Sequence, residues 1–259
     1  MDTLDGQGFV SDIEIVRGEL VSVLCDHIRD KVEYIFGDSI TAVNDNGDQV
    51  HVSFANSDAR DFDLLLLADG LTSKTHALVF GNNESYIHHL NQYTAYFTIP
   101  HHSTDSAWSR WYNAPGGRNI FLRPDGKDTR VFLSVIRTPN GLEKLSVQEQ
   151  KAEMHKVFAD AGWEAPRVLS AMEKAGDFFL QENAQVKMDS WSKGRVALVG
   201  DAGYCPSRIS GMGTSVAIVG AYILAGEIAT HDNHTDAFAA YEKVMRPYVT
   251  KAQVRNSCL

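Results

Sequence analysis

The spacing of apolar residues changes several times along the chain, and each change predicts a different element. Between residues 14 and 28 apolar side chains recur every three or four positions, which predicts an amphipathic helix. Short segments between turn residues then predict strands of a meander at 32–35, 39–44 and 50–54. Residues 63–70 are a continuous apolar run closed by a turn, which is typical of a parallel strand buried on both faces.

The middle of the chain is rich in aromatic and β-branched residues, which favour a separate antiparallel sheet. The predicted strands are residues 93–100, 109–113, 119–123 and 130–137, with a hairpin turn at 124–127. Ser146 and Glu149 form a capping box that opens a helix to residue 161, and a second helix is predicted at 166–174. Strands at 178–180, 184–188 and 195–201 and a helix at 213–230 complete the pattern.

This order of elements predicts an α/β fold in which a cofactor-type domain is interrupted by a β-rich insertion. We place the discontinuous α/β domain at residues 1–85 and 177–259. The inserted domain, an antiparallel β-sheet with helices, is placed at residues 86–176 and is expected to bind substrate.

Composition narrows the possible partners. The formal charge of −9 is spread over 259 residues without a basic face, so a small molecule is a better partner than nucleic acid. Three widely spaced cysteines indicate a reducing compartment and therefore a cytoplasmic protein. No apolar run approaches the roughly 18 residues of a membrane span. The pairs His88-His89 and His101-His102 lack nearby ligand spacing, so no metal site is predicted.

The strongest chemical signal is the segment 194–213, where an apolar strand ends in Gly200-Asp201 and a loop with two glycines leads into a helix. Such a turn places a carboxylate beside free backbone N–H groups, and this arrangement suits a polyol together with an anionic group. On spacing alone, an ordinary strand-turn-helix in which Asp201 caps the turn is about equally consistent.

Three segments together resemble the FAD-dependent aromatic-hydroxylase-type monooxygenases, the family of para-hydroxybenzoate hydroxylase and the tetracycline-inactivating flavoenzymes. Residues 194–213 resemble the family's Gly-Asp motif. Ala68-Asp69-Gly70 with Ser73 resembles a second motif that touches FAD. Arg17-Gly18-Glu19-Leu20 is similar to the helix whose arginine approaches the ribityl and phosphate side of the flavin. The matches follow the family's order and extend over nearly the whole chain.

The resemblance implies a para-hydroxybenzoate-hydroxylase-like fold and an FAD that NAD(P)H reduces, so that O₂ can hydroxylate or epoxidise a small aromatic, polyketide-like or terpenoid-like molecule. The implied cofactor-binding residues are Arg17, Asp69, Gly70, Asp201, Gly211, Met212, Gly213 and Thr214. The implied flavin ring lies between the loop 206–213 and the antiparallel sheet. The substrate-contacting candidates on that sheet are Trp108, Arg110, Trp111, Tyr112, Arg118 and Phe121.

The sequence also departs from the family pattern. The family begins with a strand, a Gly-x-Gly-x-x-Gly turn and a helix, and no such turn occurs in the 259 residues. Leu67, His76 and Arg208 replace a glycine, an arginine and a proline of the motifs. We therefore expect weak or absent FAD binding, and NAD(P)H use only if FAD is functional. The strand at 64–67 should need a covering partner, in a homodimer or otherwise.

Two explanations stay open for this departure. The sequence is either a fragment of an FAD monooxygenase or a short relative that kept the pocket without redox chemistry. The second would be a flavin-free isomerase or cyclase, in which Arg208, Tyr204 and His76, together with Asp201, are candidate acid–base groups. A non-catalytic binding module is a third, weaker alternative.

Overall fold

The structure, a computed structural model, describes residues 15, 17–81 and 85–254, without the side chain of Arg17. Residues 14 and 16 of the first predicted helix and Cys258 lie outside the described residues. The chain divides into two compact units. Unit 1 comprises Met1–Tyr86 and Val186–Leu259, and unit 2 comprises Ile87–Gln185. The second boundary thus falls after residue 185, whereas the sequence placed it after residue 176.

Unit 1 contains two small three-stranded sheets with helices around them. The antiparallel meander has the order β1-β2-β3, and the second sheet has the order β10-β11-β4. The strands are β1 (Ile40–Asp45), β2 (Val50–Phe54), β3 (Arg60–Phe62), β4 (Leu65–Leu67), β10 (Ser192–Lys193) and β11 (Val196–Leu198). The helices are α1 (Arg17–Ile28), α2 (Lys74–Phe80), α5 (Asp201–Tyr204), α6 (Gly213–Thr230) and α7 (His234–Val254).

Two strand predictions in unit 1 are wrong. Residues 32–35 form no strand, because they pair with no neighbour among the described residues. Strand β4 was expected to be buried on both faces, yet Leu66 is 46% exposed while Leu67 is buried. In the described residues β4 pairs with β11 alone, in parallel, and is therefore an edge strand.

Helix α6 has the bounds that the sequence predicts, whereas α7 was not predicted. Buried residues of α7 recur at three and four positions, including Phe238, Tyr241 and Met245, so one face packs on the core of unit 1. By length and composition alone α6 could span a membrane, although no apolar run of that length was expected. Only 17% of α6 is buried. One such helix is weak evidence, since core helices pass the same test.

Unit 2 is built on a five-stranded antiparallel sheet with the order β6-β7-β8-β5-β9. The strands are β5 (Ile87–Pro100), β6 (Arg110–Ala114), β7 (Arg118–Pro124), β8 (Asp128–Ile136) and β9 (Phe179–Val186). The sequence predicted two short strands at 178–180 and 184–188, but β9 is one continuous strand. Its Leu180 belongs to the buried core, while Asn183 bonds to Thr94 on the other face of the sheet.

The two helices of unit 2 cover one face of this sheet. Helix α3 spans Val147–Phe158 and helix α4 spans Ala165–Lys174. The predicted capping box is confirmed, because Ser146 accepts from the Glu149 N–H and the Glu149 carboxylate accepts from the Ser146 N–H. Phe158 and Met172, from the two helices, are fully buried with Ile120 and Leu133 of the sheet. Period-two alternation leaves the other face of the sheet uncovered by α3 and α4.

Candidate functional site

Two turns that each carry an aspartate follow the parallel strands β4 and β11 of unit 1, at the same edge of their sheet. Strands β4 and β11 run parallel with Leu67 opposite Leu198. Asp69 follows Leu67 by two residues and Asp201 follows Leu198 by three. Adjacent strands lie about 4.8 Å apart, so both turns emerge side by side at the carboxyl ends of the strands. In open α/β sheets this edge is where ligands bind.

The turn after β11 depends on backbone conformations that few residues adopt. Gly200 has φ of +66°, and a Cβ at this position would lie 3.2 Å from the Cβ of Ala217 in α6. Ser207 also has a positive φ, +74°, although it carries a side chain. The Ser210 hydroxyl donates to the Ser207 carbonyl at 2.7 Å, which closes the loop on itself. We call residues 200–213 the Gly-Asp loop.

The Gly-Asp loop ends at the N-terminus of α6. Met212 precedes the helix and gives it no side-chain cap, so the amides of its first turn remain for another acceptor. Asp201 Oδ1 lies 3.9 Å from the position that a Cβ would occupy if Gly213 carried a side chain. The sequence predicted free backbone N–H groups in this turn, but the N–H of Gly211, one of the implied cofactor-binding residues, donates to the Arg208 carbonyl within the loop. A carboxylate and uncapped helix amides thus lie together, which fits the ribityl hydroxyls of a flavin.

The electrostatics of the loop centre on Asp201. Burial raises the pKa of the Asp201 carboxyl, although a hydrogen bond from the Cys205 thiol and the charge of exposed Arg208 act in the opposite direction. Burial likewise raises the pKa of the Cys205 thiol to about 12, so the thiol stays protonated and donates to the carboxylate. Cys205 therefore positions Asp201 and is not a nucleophile.

The second aspartate turn is held by Ser73. The Ser73 hydroxyl donates to Asp69 Oδ2 at 2.6 Å and accepts from the His76 N–H, which caps α2. Gly70 has φ of +84°, as the turn requires. The His76 ring is buried and stacks with Phe80, so the structure places it inside unit 1. That environment gives His76 a packing role.

Tyr204 also lies in the core of unit 1. Its side chain is 1% exposed, and its hydroxyl accepts from the Tyr241 hydroxyl at 2.9 Å. Tyr241 is fully buried as well, and the Trp191 ring lies 4.5 Å from the Tyr204 ring. The sequence suggested Tyr204 as an acid–base group. In the structure its hydrogen bond to Tyr241 instead connects α5 to α7 in the core.

A row of aromatic rings crosses the uncovered face of the unit 2 sheet. Each ring comes from a different strand, and neighbouring centroids lie 5.1 to 6.3 Å apart. The five residues, in sheet order, are Trp111, Phe121, Phe132, Tyr96 and Phe179. Trp111 is 53% exposed and Phe179 is 46% exposed. We call these five residues the aromatic row; it offers a flat apolar surface.

Polar side chains flank the aromatic row. Arg123 on β7 pairs with Arg130 on β8, two residues beyond the pair of Phe121 and Phe132 in the aromatic row. Burial and the charge of Arg130 both lower the pKa of Arg123. On the opposite side, Asn119 faces Ser134, whose hydroxyl lies 2.9 Å from that of Thr94. Thr94 and Asn119 are buried. The aromatic stripe beside the arginine stripe suits a flat molecule that carries an ionised oxygen.

The structure places the six predicted substrate-contacting residues in different surroundings. Trp111 and Phe121 belong to the aromatic row, whereas Arg110, Tyr112 and Arg118 turn toward the helices. Arg110 binds Asp105 and Glu164, the Tyr112 hydroxyl donates to the Ala161 carbonyl, and Arg118 donates to the Val157 carbonyl. Trp108 precedes β6 and is 78% exposed. The sequence did not single out Tyr96, Phe132 or Phe179, although period-two alternation places them on the face of Trp111.

The chain is similar to several flavin-dependent proteins. It is 38% identical over 244 residues to a flavin-dependent monooxygenase of an unknown prokaryotic organism, covering 93% of this chain and 63% of that protein. It is 35% identical over 268 residues to the FAD-dependent monooxygenase asL6 of Sarocladium schorii, covering 95% of this chain and 63% of that protein. Over nearly its whole length the chain thus resembles proteins named FAD-dependent monooxygenases. The expected fold and the expected resemblance are thereby confirmed.

Solved structures agree with this resemblance. The tetracycline destructase Tet(55) superposes with a TM-score of 0.84 at 36% identity, covering 93% of this chain and 64% of that one. HpxO of Klebsiella pneumoniae, solved with FAD and uric acid, has a TM-score of 0.72 at 22% identity and supports the fold alone. The chain spans 63% to 66% of the length of the first matched relatives, one of which is the uncharacterized protein Rv1260 of Mycobacterium tuberculosis at 40% identity. No family model matches the chain.

Proposed function

We propose that this chain binds the flavin half of FAD at the Gly-Asp loop and takes part in oxygenating a small aromatic, polyketide-like or terpenoid-like molecule. The observation that carries the proposal is the meeting of the Asp201 carboxylate with the uncapped first turn of α6. Asp69 and Gly70 leave the same edge of the sheet and belong to this site. When bound, reduced flavin supplies the chemistry that activates O₂.

The protein's own residues would bind and orient the two molecules. Asp201 accepts hydrogen bonds from hydroxyls of the cofactor, and the amides of Gly213 and Thr214 face its anionic part. The aromatic row holds a flat substrate, and the stripe of Arg123 and Arg130 favours an ionised oxygen on it. Arg17 and Met212 remain proposed cofactor contacts. The names of the relatives favour monooxygenation, and no observation favours the flavin-free isomerase.

We further propose that the 259-residue chain by itself binds FAD weakly and oxidises NAD(P)H only when FAD is bound. We also propose that the protein is cytoplasmic. No Gly-x-Gly-x-x-Gly sequence occurs in the 259 residues to bind the pyrophosphate. Charge-assisted contacts of that kind are each worth roughly 1.5 to 3 kcal/mol, so their loss reduces affinity by several powers of ten.

A titration with two flavins tests both proposals. The purified chain should be nearly colourless and should bind FMN and FAD with similar weak affinity, because the adenosine end of FAD finds no partner. FAD binding more than about 100-fold tighter than FMN binding would contradict weak binding and leave the flavin site intact. Binding of neither flavin, at concentrations up to their solubility, would overturn the proposed function itself.

A further inference from the structure

A cavity lies in unit 2, away from the aromatic row. It has a volume of about 420 Å³ and opens between the end of β5 and the outer side of α4. Helix α4 packs on the covered face of the sheet through Val168 and Leu169, so the cavity is on the helix side. The aromatic row lies on the opposite face. We call this cavity the α4 groove.

The spacing along α4 shapes the groove. Arg167, Ser170, Ala171 and Lys174 line it and follow one another at three, one and three positions, which places them on one side of the helix. Ser170 and Ala171 are small and leave open space between two long cationic side chains. At 1.5 Å rise per residue, Arg167 and Lys174 begin about 10 Å apart along the helix axis.

The groove is cationic in its lining. Its four ionisable lining residues are Arg167, Lys174, His101 and His102, and no carboxylate lines it in the described part of the chain. Pro100 and Ala175 add apolar surface. The Lys174 ammonium and the Arg167 N–H groups favour an organic anion over a neutral or cationic molecule.

Arg167 is held in place by acidic residues outside the lining. Its Nη2 donates to Asp105 at 2.8 Å, its Nη1 donates to the same carboxylate at 3.2 Å, and its Nε donates to Glu164 at 2.7 Å. A guanidinium has five N–H donors, so two remain for a ligand after these three bonds. The fixed guanidinium is thus oriented before a ligand arrives.

The carboxyl end of α4 would ordinarily repel an anion, because helix carbonyls carry partial negative charge there. In this helix the buried Lys151 ammonium donates to the carbonyls of Glu173 at 3.1 Å and Ala175 at 2.8 Å. Lys151 therefore compensates the negative end of α4 beside Lys174. Asp177, which bonds to the Thr98 N–H at 3.1 Å, is a nearby opposing charge.

We propose that the α4 groove binds a small organic carboxylate, with the carboxylate between Lys174 and the free N–H groups of Arg167 and the apolar body on Pro100, Ala171 and Ala175. This is a second small-molecule site of unit 2, on the other side of the sheet from the aromatic row. It does not depend on flavin binding.

Calorimetric titration of the 259-residue chain at low ionic strength tests this inference, with benzoate as the probe. Benzamide has the same ring without the charge, and acetate has the charge without the ring. We expect benzoate to bind at least about tenfold more tightly than either, because both parts of the groove are used. Lys174→Gln removes a cation and Ser170→Met fills the space at an exposed helix position; each should weaken benzoate binding about tenfold.

Two control variants separate this site from others. Lys156→Gln removes an exposed lysine of α3 outside the groove and should bind benzoate like the parent, whereas Trp111→Ala alters the aromatic row and shows whether benzoate binds there instead. The inference is overturned if benzoate fails to bind, if benzamide binds equally well, or if Lys174→Gln and Ser170→Met both retain the parent affinity. Loss of binding in Trp111→Ala alone would assign benzoate to the aromatic row and also overturn it.

Discussion

The Leu65 N–H donates to the Arg195 carbonyl at 3.0 Å, which turns the backbone of Leu65 toward the neighbouring strand β11. Since backbone groups alternate along a strand, the next residue, Leu66, directs its N–H and carbonyl to the edge of β4 that no described strand covers. The side chain of Leu66 is also 46% exposed. A hydrophobic strand with an open edge is a surface that another strand can cover.

We predict that the edge of β4 is covered in solution, by a homodimer or by another chain segment. A homodimer should give a mass above that of a monomer in light scattering, and with either cover the Leu66 amide should exchange slowly with solvent. Leu66→Lys places a charge at this exposed position and should shift the population to monomer without unfolding unit 1. A monomeric parent with fast exchange at Leu66 would refute the prediction.

Asp201→Asn should separate flavin binding from stability. Replacing the carboxylate by an amide weakens acceptance from flavin hydroxyls, so riboflavin affinity should fall roughly tenfold. Burial raises the pKa of Asp201 in the folded state, so ionisation costs stability at neutral pH. The variant should therefore melt at a higher temperature than the parent near pH 7.

This gain should vanish as the pH falls through the raised folded pKa to the unfolded value, because Asp201 is then protonated in both states. Calorimetric melting across this range measures the effect, and Asp232→Asn, an exposed aspartate, is the control. Equal riboflavin affinity in Asp201→Asn and the parent would remove Asp201 from the proposed site.

Truncation of two neighbouring residues of β6 should affect different properties, namely ligand binding for Trp111 and stability for Tyr112. Trp111→Ala removes one end of the aromatic row and should weaken the binding of a flat polycyclic aromatic probe about tenfold while the fold survives. Tyr112→Ala removes a hydrogen bond to Ala161 and a ring stacked on Trp163, and should cost about 2 kcal/mol of unfolding free energy. Fluorescence titration and urea unfolding measure the two effects. Reversed effects would mean that the two faces of the sheet have been misassigned.

The buried Asp105 carboxylate should stabilise unit 2. Its side chain is 0% exposed and accepts from Arg110, Arg167 and the Thr129 hydroxyl. Burial opposes its ionisation, yet the bonds from the His102 N–H, Thr129 and Arg167 together lower its pKa. Asp105→Asn should lose roughly 3 kcal/mol of unfolding free energy, because the partly buried Arg110 and Arg167 each lose a buried carboxylate partner.

The pH dependence follows from the lowered pKa of Asp105. Its contribution is present at pH values above the unfolded pKa and is lost as the pH falls through the lower folded pKa. The difference in urea unfolding between the parent and Asp105→Asn should therefore shrink at acid pH. Asp128→Asn, on β8 in the same unit, should differ little from the parent. An undiminished difference at acid pH would contradict the assigned charge.

The sequence determined the elements whose signals are local. Helix α6 has the predicted bounds, because its small and apolar run lies between loop residues, and the capping box at Ser146 starts α3 as predicted. The Gly-Asp loop could be recognised because a strand end, a carboxylate and two glycines occur within a short segment. These features depend on residues a few positions apart, so their pattern is visible without the fold.

Tertiary structure alone decided which side chains meet. Trp111 and Tyr112 are adjacent in sequence, yet alternation sends one to the aromatic row and the other to the helices. The aromatic row itself joins residues from five strands, and the register of those strands is set by long-range pairing. Tyr204 looked like a site residue because it follows Asp201, but the helix turn directs it to Tyr241, 37 positions away, in the core. Sequence neighbours therefore share a motif without sharing an environment, because the environment is made by segments that only folding brings together.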